Sequence, residues 1–343
     1  MFDFQTKMRR EIEDIPDALQ RLLDSALPVI KDAADELRRT NPAVICTIAR
    51  GSSDHAASFL KYAIELTARV PVASLGPSIN SIYGVDLKLN SGACIAISQS
   101  GKSPDITAMA QSARTGGACT IAITNESQSP LANVCNHTIN IQAGKEESVA
   151  ATKTFLTSIV SGLLLLGHWQ HDQRLLDGLQ RLPEQAKKAI ECDWSELTRR
   201  LLREDALYVL GRGPSFAIAN EVALKFKETC QIQGEAFSSA EVLHGPVSIV
   251  AAHYPVLALA ARDLSEPSIC DVADDLVSRG GDVFATSSSA RLATPLPHVA
   301  TDHPLTDPLM LAISFYAFIE QLARLRGFDP DKPRNLKKVT ETV

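Results

Sequence analysis

Three hydroxyls fall within six residues in Ser98-Gln99-Ser100-Gly101-Lys102-Ser103. Ile95-Ala-Ile ahead of them reads as the end of a buried strand, and Pro104 behind them suits the first turn of a helix. A loop between a strand and a helix N-terminus offers free backbone N–H groups, and the glycine permits close approach to the backbone. This chemistry suits a phosphate monoester. Serines also cap ordinary helices, but three converging hydroxyls favour the anion site. The spacing is neither a P-loop nor G-x-G-x-x-G, so nucleotide binding is not indicated. Arg50-Gly51-Ser52-Ser53 repeats the same strand–turn–helix device one strand earlier.

A second set lies further along. Glu221, Lys225 and Glu228 follow at i, i+4 and i+7, on one face of a helical stretch over 220–229. Such a face is either solvated and salt-bridged or, given the apolar Val222, Ala223, Leu224 and Phe226 around it, turned into a cleft. In a cleft, a glutamate beside a lysine can be tuned as a general base. His244 precedes Gly245-Pro246 at a turn that ends a helix, exposed, and serves either acid–base chemistry or capping. The tail from Asp331 to Thr340 is rich in lysine. It is either disordered, as chain ends commonly are, or ordered with a lysine amine inserted into the site.

These residues need elements to position them. Short apolar runs at 43–49, 71–75, 93–98, 119–124 and 137–141 are expected strands, buried on both faces as parallel strands are. Helical patterns at 55–67, 105–115 and 148–168 fill the gaps. This alternation predicts βαβ units and a parallel sheet. A polar amphipathic helical segment, 1–40, precedes them, and a charged helical connector, 171–203, follows. Strands then resume at 207–210, 255–260, 282–286 and 298–300. Ile48-Ala-Arg-Gly-Ser-Ser53 matches Leu210-Gly-Arg-Gly-Pro-Ser215, and Gly116-Gly117 matches Gly280-Gly281 at nearly the same offset. An internal duplication explains both. The expected fold is therefore α/β, two tandem doubly wound parallel-sheet domains at 41–170 and 204–328, closed by a tail at 329–343.

Bulk properties narrow the function. A net charge of −6 and 5% aromatic residues argue against nucleic-acid binding. The longest apolar stretch noted, 155–167, is shorter than the roughly 20 residues a membrane span needs, so it is expected to be a buried helix. Seven scattered cysteines without C-x-x-C suggest reduced thiols in a cytoplasmic protein. His168 and His171 are expected on one helix face at the surface, and no metal set is completed around them.

Gly51-Ser52-Ser53, Ser98-Gln-Ser-Gly101, Val149-Ala-Ala-Thr-Lys153, Glu221-x-x-x-Lys225-x-x-Glu228, His244-Gly-Pro246 and Pro333-Arg-Asn-Leu336 with Lys338 occur in this order. Together they resemble the sugar isomerase (SIS) family, from about Ala43 to the C-terminus. The resemblance is to the isomerase half of glucosamine-6-phosphate synthase and to the stand-alone glucosamine-6-phosphate deaminases. It implies a homodimer acting on a small sugar phosphate, with no cofactor and no metal. By the same resemblance Ser52, Ser53, Ser98, Gln99, Ser100 and Ser103 hold the phosphate, with Gly51, Val149 and Ala150 also at the substrate. Glu228 moves the proton between C1 and C2, and His244, from the neighbouring subunit, opens the ring. Lys338 approaches the C2 carbonyl and can form a Schiff base. Lys225 supports the enediol region and Glu221 orients it.

The chain departs from the synthase in three ways. No glutaminase half is seen ahead of the first lobe, so glutamine-derived ammonia is expected to have no source here. Lys102-Ser103-Pro104-Asp105 is closer to the deaminases, and Lys337 stands where the synthase has a small residue. The resemblance thus implies deamination of an amino-sugar phosphate. A plain aldose–ketose isomerase, an isomerase like that of glutamine–fructose-6-phosphate aminotransferase without the glutaminase domain, a galactosamine-6-phosphate deaminase, a fructosamine-phosphate deglycase and a sugar-phosphate sensor are the alternatives.

Overall fold

In the computed structural model, residues 5–336 and 338 are described. The chain divides by contacts into two compact units. One comprises Ile15–Glu146 and Lys153–Gln180 with Lys338, and is called N-terminal below; the other comprises the first helix, Glu147–Thr152 and Arg181–Leu336. The boundary at Gln180 falls inside the stretch expected as a connector.

The opening helical segment is broken into α1 (Lys7–Glu13), α2 (Ile15–Ser25) and α3 (Leu27–Thr40), of which α1 belongs to the C-terminal unit. The N-terminal unit continues with β1 (Val44–Ile48), α4 (Ser52–Thr67), β2 (Val72–Ser74), α5 (Ser78–Ser81), β3 (Gly92–Ile97), α6 (Pro104–Thr115), β4 (Cys119–Thr124), α7 (Pro130–Val134) and β5 (His137–Asn140). Two helices, α8 (Lys153–Gln170) and α9 (Gln173–Gln180), complete it. Its sheet is parallel, in the order β2-β1-β3-β4-β5. Every residue of β3 and β4 is buried, Thr120 and Thr124 of β4 included, as strands covered on both faces require. Cys46, Ile48, Cys94, Ala96 and Ala122 face α6 and α7, packing on Ile106, Met109, Ala110 and Leu131. Small strand side chains allow that helix layer to sit close. Because side chains alternate along a strand, the opposite face meets α3, α4 and α8.

The C-terminal unit contains α10 (Leu182–Ile190), α11 (Ser195–Leu201), β6 (Ala206–Gly211), α12 (Pro214–Cys230), β7 (Gln233–Ser238), β8 (Pro255–Ala258), α13 (Glu266–Ser278), β9 (Asp282–Ala285), β10 (Thr294–Pro295) and α14 (Asp307–Leu325). Its parallel sheet runs β10-β9-β8-β6-β7, the same topology as the first. Doubly wound sheets of this kind open their binding crevices at the carboxyl ends of the strands. One sheet face packs on α13 through Ile269, Cys270, Ala273 and Leu276. The other carries α12, against which α14 packs.

Backbone geometry repeats with the topology. Gly51, ahead of α4, has φ 56° and ψ −134°, and Gly213, ahead of α12, has φ 59° and ψ −136°. Gly117 and Gly280 have φ 95° and 97°. The structure therefore pairs Gly117, not Gly116, with Gly280, a shift of one residue from the sequence match.

Three sequence expectations are corrected. β7 was missed because Gln-Gly-Glu-Ala-Phe-Ser is a half-exposed edge strand without an apolar run. The segment 298–300 is not a strand; the edge position is taken by Thr294–Pro295, and the chain beyond is held by Trp194 Nε1 donating to Pro297 O at 2.9 Å. His171 does not share the α8 face with His168, since α8 ends at Gln170 and His171 turns the chain away with φ 53°.

The stretch 155–167 is a buried helix, within α8. A further helix, α14, is long and apolar enough to cross a membrane by length and composition, but 83% of its apolar window is buried inside the fold. All seven cysteines are unbridged, six of them buried.

Candidate functional site

In the N-terminal unit, strand ends and helix starts converge on a cleft of about 340 Å³. Ser53, Ser98, Gln99, Ser100 and Ser103 line it with Gly51; Ser52 does not. The loop after β3 is built from the backbone outward. Ser98 Oγ accepts from Gly101 N–H at 3.2 Å, Ser100 Oγ accepts from Lys102 N–H at 3.3 Å, and Gln99 O accepts from Asn125 N–H at 3.0 Å. Gly101 has φ 60°, and a Cβ there would lie 2.1 Å from Ser129 Oγ. Pro104 starts α6 as its spacing predicts. Lys102 is exposed and does not line the cleft.

Among the described residues two cations, Arg50 and Lys338, also line the cleft. Arg50 donates from Nε at 3.0 Å and Nη2 at 2.9 Å to Asp105 Oδ2, a carboxylate with no exposed surface. Lys338 donates at 3.0 Å to Glu146 Oε2, also fully buried, which in turn accepts from Thr154 Oγ1 at 2.6 Å. Neither carboxylate lines the cleft. Sequence reading missed both. Asp105 stands in a first helical turn, where acidic residues are common, and Glu146 lies in the charge run Lys145-Glu146-Glu147, so neither is singled out by the sequence. Of the tail expected to close the site, residues 337 and 339–343 lie outside the described residues.

The C-terminal unit holds the second set of candidate residues on α12. Lys225 Nζ lies 2.6 Å from Glu228 Oε2 and 3.2 Å from Glu221 Oε1. Lys225 and Glu221 are buried, whereas Glu228 keeps 18% of its side chain exposed and lines a smaller cleft of about 160 Å³. Of the two readings of this face, a solvated surface is therefore excluded. Burial by itself pushes the Lys225 ammonium down, but Glu221 and Glu228 outweigh it and hold the group above the ordinary lysine range. Tyr316 of α14 donates to Glu221 Oε1 at 3.2 Å, a partner invisible in an apolar helix pattern. The 160 Å³ cleft is also lined by Asp329, Pro333 and Arg334.

His244 ends the 3-10 turn Glu241–Leu243 and is exposed, ahead of Gly245 at φ 137°. Val149 and Ala150 lie on Glu147–Thr152, half-buried and buried, in the C-terminal unit. That stretch is anchored by Glu11 of α1, which accepts from Ser148 N–H at 3.2 Å.

Known proteins share this architecture. The sequence profile of the SIS domain matches residues 40–167 and 200–291. The glutamine–fructose-6-phosphate aminotransferase (isomerizing) of Sulfurisphaera tokodaii is 31% identical over 98% of this chain and 56% of its own length. The chain thus spans a little over half the length of the curated relatives it matches. A crystal structure from Silicibacter pomeroyi, described as a phosphosugar isomerase, is 51% identical, with a TM-score of 0.93 over 95% of this chain and all of its own. The C-terminal domain of the Francisella tularensis glucosamine-fructose-6-phosphate aminotransferase shares the fold, at 24% identity and a TM-score of 0.86 over 96% of this chain and 99% of its own. With both repeats matched, and with full-length similarity of this degree, the chain belongs to the SIS domain family.

Proposed function

We propose that this chain is a sugar-phosphate isomerase that acts on an amino sugar, converting glucosamine 6-phosphate and water to fructose 6-phosphate and ammonia. The observation that carries the reading is Glu228, a carboxylate held at 2.6 Å by a buried lysine while it faces a cleft. Such a group is positioned to accept a proton and return it. The hydroxyl-lined cleft of the N-terminal unit supports a phosphorylated substrate. The similar proteins named for fructose-6-phosphate and phosphosugar chemistry agree with that substrate class.

In the proposed sequence His244 assists ring opening. Glu228 takes the C2 proton from the open-chain aldehyde, giving an enolamine, and returns it to C1. The resulting C2 imine is hydrolysed by water, releasing ammonia and the ketose phosphate. Ser53, Ser98, Gln99, Ser100 and Ser103 hold the phosphate, Ser52 being left out because it does not line the cleft, and Gly51, Val149 and Ala150 contact the substrate. Lys338 meets C2, and Lys225 with Glu221 fixes Glu228. We propose a homodimer in which His244 serves the neighbouring subunit's site.

The test is to incubate the protein with glucosamine 6-phosphate and its galacto isomer and to measure ammonia and ketose separately. Ammonia in step with ketose is expected. Ketose or aldose interconversion without ammonia would sink the deaminase step and leave an isomerase. Glu228→Gln should abolish turnover while sugar-phosphate binding stays near wild type; an unchanged rate would remove Glu228 from the chemistry.

A further inference from the structure

The hydroxyl loops account for hydrogen bonds to a phosphate but not for its charge. The cleft they line has a cationic wall whose anchors stand behind it. Arg50, half exposed, lines the cleft, while its partner Asp105 has no exposed side-chain surface and does not line it. Asp105 is itself fixed at both oxygens. Oδ2 takes the Arg50 Nε and Nη2 N–H groups, and Oδ1 accepts from Ile106 N–H at 2.8 Å, at the start of α6. The position of Arg50 is therefore set from the turn between β1 and α4 and from the start of α6 together, next to Ser53 in α4 and Ser103 ahead of α6. An arginine has five N–H donors in a planar fork. Two bonds to Asp105 leave others for a ligand in the cleft.

We propose that Arg50 is a phosphate-binding residue of this cleft, that Asp105 is its positioning residue, and that the guanidinium makes the cleft select phosphorylated over neutral sugars. The proposal rests on the phosphate reading of the cleft given above. It adds a charged, directional ligand to a set otherwise made of hydroxyls and one amide. Charge-assisted hydrogen bonds are the strong ones, and a guanidinium fits phosphate oxygens two at a time. Glutamine at position 50 retains donors but no charge.

The experiment titrates inorganic phosphate, and separately glucosamine 6-phosphate, into the full chain by calorimetry, with turnover measured in parallel. Arg50→Gln strands the buried Asp105 carboxylate and can fail to fold, so Arg50→Gln/Asp105→Asn is the second variant. In the double variant phosphate affinity should fall about 10- to 100-fold, as loss of one charged hydrogen-bond partner predicts. KM should rise with it while kcat changes little. Asp105→Asn alone should weaken phosphate binding in the Arg50 background and have no further effect once Arg50 is glutamine. A purely structural carboxylate would not show that dependence. Wild-type phosphate affinity in the double variant overturns the Arg50 assignment alone. Failure of the wild-type chain to bind either ligand overturns the phosphate reading and the assignment with it.

Discussion

Replacing Gly101 by alanine tests whether the loop after β3 is a built anion cradle, because two separate costs meet at that residue. Its φ of 60° is a left-handed conformation, which costs a residue with a Cβ about 1–2 kcal/mol. The added Cβ would lie 2.1 Å from Ser129 Oγ, 2.5 Å from Ser129 Cβ and 3.1 Å from Thr124 Oγ1. Ser129 has little room to retreat. It is 1% exposed and caps α7, its Oγ accepting from Ala132 N–H at 3.3 Å. Overpacking of this kind costs about 1–3 kcal/mol, and loss of the cap about 1 more. The expected destabilisation is about 3–6 kcal/mol. At roughly 2–4 °C per kcal/mol for a domain of this size, the melting point falls by about 6–24 °C.

Gly51→Ala is the internal comparison. Its φ is 56°, yet among the described residues nothing lies within 4 Å of an added Cβ, so the conformational cost is the one that applies. Thermal unfolding of both variants should show Gly101→Ala destabilised at least twice as much. Adding Ser129→Gly to Gly101→Ala removes the two nearest clashing atoms and should restore part of the loss, though not the cap. Phosphate binding should be lost in Gly101→Ala even below its melting point, since Gly101 N–H anchors Ser98 Oγ. A Gly101→Ala protein that melts within about 2 °C of wild type would refute the reasoning.

Lys225→Met leaves the buried Glu221 without its countercharge and should cost about 3–5 kcal/mol, measured by urea unfolding; adding Glu221→Gln should recover most of it. Asp274 accepts from the backbone N–H groups of Arg291, Leu292 and Ala293, at 2.9, 2.8 and 3.2 Å. Burial would raise its carboxyl, but these bonds outweigh burial and hold it below the usual range. Its stabilising contribution is thus full above the unfolded value of about 3.9 and is lost as pH falls through the folded one. The melting points of wild type and Asp274→Asn, apart at pH 7, should converge below about pH 4. If His244 serves the partner's site, mixing inactive His244→Ala with inactive Glu228→Gln should restore roughly a quarter of wild-type activity through mixed dimers. No recovery, with mixed dimers verified by mass, would place His244 elsewhere.

How much of this was legible follows from distance along the chain. The central strands β1, β3 and β4 announce themselves because they are buried on both faces, whereas the edge strands β2 and β5 are partly exposed, and Pro104 marks the start of α6. The face of Glu221, Lys225 and Glu228 is equally local, since one helix sets the spacing. Its burial was not legible, because α14 and Tyr316 provide it. Partners across long separations were invisible for the same reason. Arg50 meets Asp105 55 residues away, and Lys338 meets Glu146 192 residues away. Polar β7 failed the apolar test because an edge strand needs only one paired side.

Duplication supplies the last argument, because it gives the proposed phosphate loop a built-in comparison. Both copies retain the glycine turn ahead of the first crossover helix, with φ and ψ matching within 3° at Gly51 and Gly213. They differ after the third strand. In the N-terminal unit that loop carries Ser98–Ser103 and opens on the cleft. In the C-terminal unit the loop after β8 already holds an anion of its own. Asp307 Oδ2 accepts from Arg262 N–H at 3.1 Å and from Arg262 Nε at 3.0 Å, and Oδ1 accepts from Thr301 N–H at 2.6 Å. A free phosphate would have to displace a carboxylate that is 3% exposed and tethered to the first turn of α14. The expected stoichiometry of inorganic phosphate is therefore one per chain. Calorimetric titration measures it directly, and two equivalent sites per chain would show that the second copy kept the function that Asp307 is argued to have filled.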